Sequence, residues 1–133
     1  MNNFIFQNAT KVYFGKGCVK EYLACLTKNA NTILLAYGGG SIKKNGVYDE
    51  ITGILKETGK TIVEFSGIMS NPTYAKVQEG AKLARENHAD MILAVGGGSA
   101  MDCCKAVSLA TRYDGDIWEN FWARPGVIDF EPL

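Results

Sequence analysis

The stretch Ala89-Asp90-Met91-Ile92-Leu93-Ala94-Val95-Gly96-Gly97-Gly98-Ser99-Ala100-Met101-Asp102-Cys103-Cys104-Lys105 decides how the rest of the chain is read. Met91 to Val95 is short and continuously apolar, which predicts a strand buried on both faces of a parallel sheet. Three glycines and a serine follow, and then a helix-compatible segment from Ala100 to about Arg112. Glycines between a strand and a helix let a ligand approach the backbone closely. The helix that follows presents free N–H groups and the positive end of its dipole at the same place. Phosphate suits such a turn. A tight turn that is merely rich in glycine is the plain alternative.

A second copy lies upstream. Thr32 to Tyr37 is another apolar run, and Gly38-Gly39-Gly40-Ser41 follows it directly. Two such turns, each closing a strand, suit two separated parts of one long ligand such as a dinucleotide. The strict dinucleotide fingerprint fails here, because after Gly96 and Gly98 the third glycine position holds Met101. The expectation is a dinucleotide site of a different pattern.

Composition narrows the classes. With 133 residues, 47% of them hydrophobic, the chain has material for one domain with a sizeable core. Fourteen basic and fourteen acidic residues balance without a basic stripe, which disfavours nucleic-acid binding. No apolar stretch reaches membrane-spanning length, and Met1-Asn2-Asn3-Phe4 lacks the basic and apolar regions of a signal peptide. A cytoplasmic protein with reduced thiols is expected. Cys18, Cys25, Cys103 and Cys104 show no Cys-x-x-Cys spacing that would favour a zinc site.

Taken in order, Phe4–Phe6 and Lys11–Phe14 read as short β-type runs, a hairpin or separate edge strands. Val19, Tyr22, Leu23 and Leu26 then recur at helical spacing from Cys18 to about Lys28. After the first glycine turn, Ile42 to Gly46 reads as an interrupted helical turn. An alternation follows: helix 46–58, strand 61–65, helix 73–87, strand 91–95, helix 100–112. Such an order predicts a parallel sheet with right-handed crossovers and helices on both faces. Tyr113 to Leu133 is expected to be irregular, with Trp118, Phe121 and Trp122 crowded ahead of Pro125 and Pro132, and the chain to be cut rather than finished.

Tyr37-Gly38-Gly39-Gly40-Ser41-Ile42-Lys43-Lys44-Asn45-Gly46, Asn71-Pro72 and Gly96-Gly97-Gly98-Ser99-Ala100-Met101-Asp102-Cys103-Cys104-Lys105 together resemble the N-terminal half of the iron-containing alcohol dehydrogenases. The Tyr-Gly-Gly-Gly-Ser form of the first turn is similar to the butanol dehydrogenase branch. The resemblance implies an α/β fold, a Rossmann-like parallel sheet preceded by the N-terminal hairpin or edge strands. Residues 1–133 would then be the N-terminal dinucleotide-binding domain of an NAD(P)H-dependent enzyme moving hydride between nicotinamide and a small alcohol or aldehyde.

The resemblance also implies roles. Gly97, Gly98 and Ser99, with Gly96 before them, correspond to the pyrophosphate turn. Asp102 resembles an acidic residue reaching toward the nicotinamide end. Lys105 matches the lysine of the motif, and is equally well read as a solvated helix lysine. Gly38, Gly39, Gly40 and Ser41 match the region that meets the adenosine ribose. A turn without a carboxylate, with Lys43 and Lys44 just beyond, suits a 2′-phosphate, so NADP(H) is favoured and NAD(H) is the alternative. Asn71 resembles a residue on the adenosine side, or caps the helix that starts near Thr73. The divalent iron or zinc of such enzymes is held in a helical domain by one aspartate and three histidines. This chain has one histidine, His88, read as solvated or capping, so no metal ligand and no catalytic residue is expected in it. A homodimer through the N-terminal strands is implied as well. Two other readings remain open: a stand-alone nucleotide-binding module without catalysis, and a relative of the dehydroquinate synthase or glycerol dehydrogenase type.

Overall fold

Thr32–Tyr37 (β1) is the centre of a three-stranded parallel sheet, flanked by Thr61–Phe65 (β2) and Met91–Val95 (β3) in the order β2-β1-β3. The computed structural model describes residue 3, residues 5–123 and residue 133. Alternation along β1 sends successive side chains to opposite faces. Ile33, Leu35 and Tyr37 enter one buried cluster; Leu34 and Ala36 enter the other. The first is covered by Cys18–Leu26 (α1), Ser41–Lys44 (α2) and Val47–Glu57 (α3), through Leu23, Ile42, Ile51 and Leu55. The second is covered by Tyr74–Glu86 (α4) and Gly98–Arg112 (α5), through Val77, Ala81, Ala84, Cys103 and Val107. The sheet is thus sandwiched between helices, as expected.

The small face of α4 has a direct cause. A Cβ on Gly80 would lie 2.7 Å from Cε1 of Phe65 and 2.8 Å from Cγ2 of Val107. Only a glycine lets α4 lie this close to the sheet and to α5. Thr73 caps α4, its hydroxyl oxygen accepting from the Lys76 N–H at 3.3 Å. Asp90 ties the start of β3 to the start of β1, its carboxylate accepting from the N–H groups of Asn31 at 2.9 Å and Thr32 at 3.0 Å.

Four expectations change. Met91 to Val95 is half-buried along its whole length rather than buried on both faces, because β3 pairs only with β1 among the described residues; the strand that is buried, from Ile33 to Tyr37, is β1. Residues 5–14 form no strand: Ile5, Phe6, Val12 and Phe14 are 98%, 79%, 78% and 99% exposed. Runs this short gain nothing from extended pairing unless an edge is available to them. Phe4, the first residue of that call, lies outside the described residues. The last helix begins at Gly98, not Ala100, so two residues of the glycine turn are already helical. Finally, Trp118–Trp122 is a single π-helical turn rather than irregular chain. It is anchored by Asp116, which accepts from the Trp118 N–H and the Tyr74 hydroxyl, each at 2.8 Å. Pro125 and Pro132 lie outside the described residues.

Candidate functional site

The register of β1 against β3 pairs Tyr37 with Val95, so the two glycine turns leave the sheet side by side at the carboxyl ends of adjacent strands. The chain leaves β1 toward the face of α2 and α3, and leaves β3 toward the face of α4 and α5. Strand order reverses between β1 and β3, and at that place open α/β sheets form a ligand crevice. A cleft of about 280 Å³ opens there. Gly38, Ser41 and Ile42 line one wall, and Gly96, Gly97, Gly98, Ser99 and Ala100 line the other.

Ile68 and Ser70, in the loop after β2, close a third side. That loop crosses the end of β1: the Gly67 N–H donates to the Gly38 carbonyl at 3.0 Å, and the Ile68 N–H to the Tyr37 carbonyl at 3.3 Å. The crossing explains Gly38, on which a Cβ would lie 3.0 Å from the Ile68 carbonyl oxygen. Sequence reasoning took 66–72 only as a loop and missed both lining residues. The one signal was the apolar pair Ile68-Met69 in the link between strand and helix, of which Ile68 is the buried member.

Gly96 has φ of 152°, a region that side-chain-bearing residues rarely adopt, and so it is needed by the turn itself. Gly97 differs. Its φ is −90°, and a Cβ built on it meets no heavy atom within 4 Å. Nothing in the folded chain requires a glycine at this position, which lines the cleft. Gly97 accepts from the N–H groups of Ala100 at 3.1 Å and Met101 at 3.2 Å, and no side chain caps the helix. The N–H groups of Gly98 and Ser99, in the first turn of a 15-residue helix, therefore remain as donors toward the cleft.

Other expected residues lie elsewhere. Gly39 and Gly40 are exposed in the first turn without lining the cleft. Asn71 is exposed, with φ of 52°, next to the lining residue Ser70; it neither lines the cleft nor caps α4, which Thr73 does. Asp102 lines a separate cavity of about 300 Å³ between α4 and α5, shared with Tyr74, Cys103 and Trp122. Lys105 lies 3.4 Å from Asp102, an exposed pair of small energetic weight. Lys43 does not face the cleft: its ammonium stands 4.6 Å from the ring centre of Tyr48 and 5.5 Å from that of Tyr37. His88 is exposed at the end of α4 with φ of 52°, its N–H donating to the Arg85 carbonyl at 3.2 Å. It serves as the left-handed residue that stops the helix.

Among the described residues no three histidine, cysteine, aspartate or glutamate side chains gather as a metal site. The four cysteines are free thiols, and burial pushes Cys104 up to about 12 and raises Cys103 as well, so neither supplies a thiolate near neutral pH. No helix among the described residues is long and apolar enough to cross a membrane.

Comparison with known proteins agrees with the fold. Residues 9–130 match the model of the iron-containing alcohol dehydrogenase family. The chain is 44% identical over 119 residues to NADH-dependent butanol dehydrogenase A of Clostridium acetobutylicum, covering 90% of this chain and 31% of that protein. It is 40% identical over 117 residues to the NADPH-dependent aldehyde reductase YqhD of Escherichia coli, covering 88% of this chain and 30% of that one. The crystal structure of an NADH-dependent butanol dehydrogenase A from Thermotoga maritima superposes with a TM-score of 0.81 at 43% identity, covering 91% of this chain and 31% of the other. The chain spans about a third of the length of the curated relatives it matches. It belongs to the iron-containing alcohol dehydrogenase family.

Proposed function

We propose that this chain is the dinucleotide-binding part of an NAD(P)H-dependent alcohol dehydrogenase or aldehyde reductase acting on a small alcohol or aldehyde. One observation carries the reading: two Gly-Gly-Gly-Ser turns stand on facing walls of one cleft at the strand-order reversal. Relatives named as butanol dehydrogenases and an aldehyde reductase support the reaction class. A bound nicotinamide dinucleotide supplies the hydride donor or acceptor.

The residues at hand fit such a group. The N–H groups of Gly98 and Ser99 and the dipole of α5 suit a pyrophosphate, and the open space at Gly97 admits it close to the backbone. Gly38 and Ser41 suit the adenosine ribose on the other wall, with Gly39, Gly40 and Asn71 nearby. Asp102 lines its own cavity beside Trp122, apart from the glycine-turn cleft, and its role toward the reacting end rests on the family resemblance alone. A divalent iron or zinc does not fit the described residues, and no step is assigned through one.

NADP(H) is favoured over NAD(H) because no carboxylate lines the cleft and Ser41 offers a donor. The relatives are divided, with NADH named in one and NADPH in the other. The exposed Ile5, Phe6, Val12 and Phe14 support a homodimer that covers the N-terminal segment, and the free thiols support a reducing, cytoplasmic setting. Titrating the chain with NADPH and NADH, followed by nicotinamide fluorescence, tests the cofactor assignment. Saturable binding of both with NADPH tighter is expected. NADH binding at least as tightly overturns the NADP(H) preference, and binding of neither overturns the cofactor reading.

A further inference from the structure

Glu64, the penultimate residue of β2, binds two phenols at once. Its Oε2 accepts from the Tyr37 hydroxyl at 3.3 Å, and its Oε1 accepts from the Tyr48 hydroxyl. Tyr37 closes β1 immediately before Gly38, and Tyr48 lies in the first turn of α3. Their rings meet edge to face, centroids 5.8 Å apart at 69°, and form a two-sided seat. Lys43 occupies it, within cation–π reach of both rings. Phenols that donate to a carboxylate hold more electron density in their rings, and the carboxylate adds its own attraction for the ammonium.

Ser41 and Lys43 stand two positions apart on α2, so their side chains leave on different sides of that helix. Ser41 therefore lines the cleft while Lys43 reaches away from it. The four-carbon stem of a lysine is flexible enough to swing back. Glu64 follows Gly40 by 24 positions, near where the dinucleotide fingerprint carries the acid that accepts a ribose 2′-hydroxyl. Here both carboxylate oxygens are engaged by phenols, and Glu64 does not line the cleft. Any effect it has on the ligand must pass through Lys43.

We propose that Glu64 is a positioning residue for cofactor choice, holding Lys43 on the Tyr37–Tyr48 seat and so withholding a cation from the 2′-phosphate that distinguishes NADP from NAD. This rests on the cofactor reading of the cleft. The seat limits the advantage of the 2′-phosphate without abolishing it, since the cleft itself has no acid.

The test is calorimetric titration with NADP⁺ and NAD⁺, which differ only in that phosphate. Glu64→Gln keeps the size of an exposed side chain and removes its charge. It is expected to tighten NADP⁺ about fivefold or more and leave NAD⁺ within about twofold. Tyr48→Phe, which removes one of the two hydrogen bonds, should move NADP⁺ in the same direction. Adding Lys43→Ala to Glu64→Gln should erase the gain. An unchanged NADP⁺ to NAD⁺ ratio in Glu64→Gln, or a gain that survives Lys43→Ala, overturns the proposal. If the unsubstituted chain binds neither nucleotide, the cofactor reading falls and this proposal falls with it.

Discussion

Ser41, the first residue of α2, and Gly98, the first residue of α5, line the same cleft although 57 positions separate them in the chain. The cause is the register that pairs Tyr37 with Val95, which brings two strand ends, two glycine turns and two helix starts to one place. Neither wall is a site without the other: one offers backbone N–H groups at a long helix, the other a hydroxyl and a glycine-thin turn.

Gly97→Val tests whether the open space at that turn belongs to a ligand. A Cβ meets nothing within 4 Å and φ is ordinary there, so the variant should keep its far-ultraviolet dichroism. Dinucleotide affinity should fall by at least about tenfold, roughly 1.4 kcal/mol. Retained affinity would contradict a close approach at Gly97, and unfolding would show that the turn itself needs the glycine.

Gly40→Asp addresses the ribose side. Gly40 has φ of −76° and room for a Cβ, and an aspartate there would also cap α2. A carboxylate beside Ser41 repels a 2′-phosphate and accepts from a free 2′-hydroxyl. The NADPH to NADH affinity ratio should fall by about one to two decades, since each decade corresponds to roughly 1.4 kcal/mol of charge repulsion at intermediate dielectric. An unchanged ratio in competition titrations would place the ribose elsewhere.

Gly80→Ala probes the fold alone. The added methyl would have to displace Phe65 and Val107, both fully buried, and overpacking of this kind costs about 1–3 kcal/mol. Thermal unfolding should move down by several degrees, while dinucleotide affinity measured well below the transition stays unchanged. A variant as stable as the parent would mean that α4 slides at no cost.

Tyr48 provides a pH signature. The hydrogen bond to Glu64 pushes its phenol up from 10.0 to about 12. Because the raised pKa belongs to the folded state, the contribution is fully present below about pH 10 and is lost as pH climbs through about 12. In an alkaline titration of phenolate absorbance, the latest-ionising component should shift to lower pH in Glu64→Gln. Superimposable titrations would show that the pair does not form in solution.

The strands were legible because 32–37, 61–65 and 91–95 are apolar runs bounded by turn residues; the observed strands occupy the same positions. The helix starts were less so. Gly98 and Ser99 are poor helix formers by propensity, yet they begin α5 because the strand end and the packing of Ala100 and Cys103 fix the path of the chain. The central place of β1 was not readable from Met91–Val95, since an edge strand and a central strand share the same composition. Ile68, Ser70 and Glu64 escaped because their importance comes from what lies across the sheet, and local sequence does not record that. The glycine turns were legible because two copies of one unusual tetrapeptide followed two apolar runs. Their union in one cleft depended on a register that only the folded sheet supplies.

The most direct test of that union is to titrate the isotopically labelled chain with NADPH and follow its backbone amide resonances. Amides of Gly38 to Ser41 and of Gly96 to Ala100 should shift together along one saturation curve, with α1 and the start of β2 unaffected. Shifts confined to one turn, two different saturation curves, or no shift at either turn would contradict a single dinucleotide site built from both.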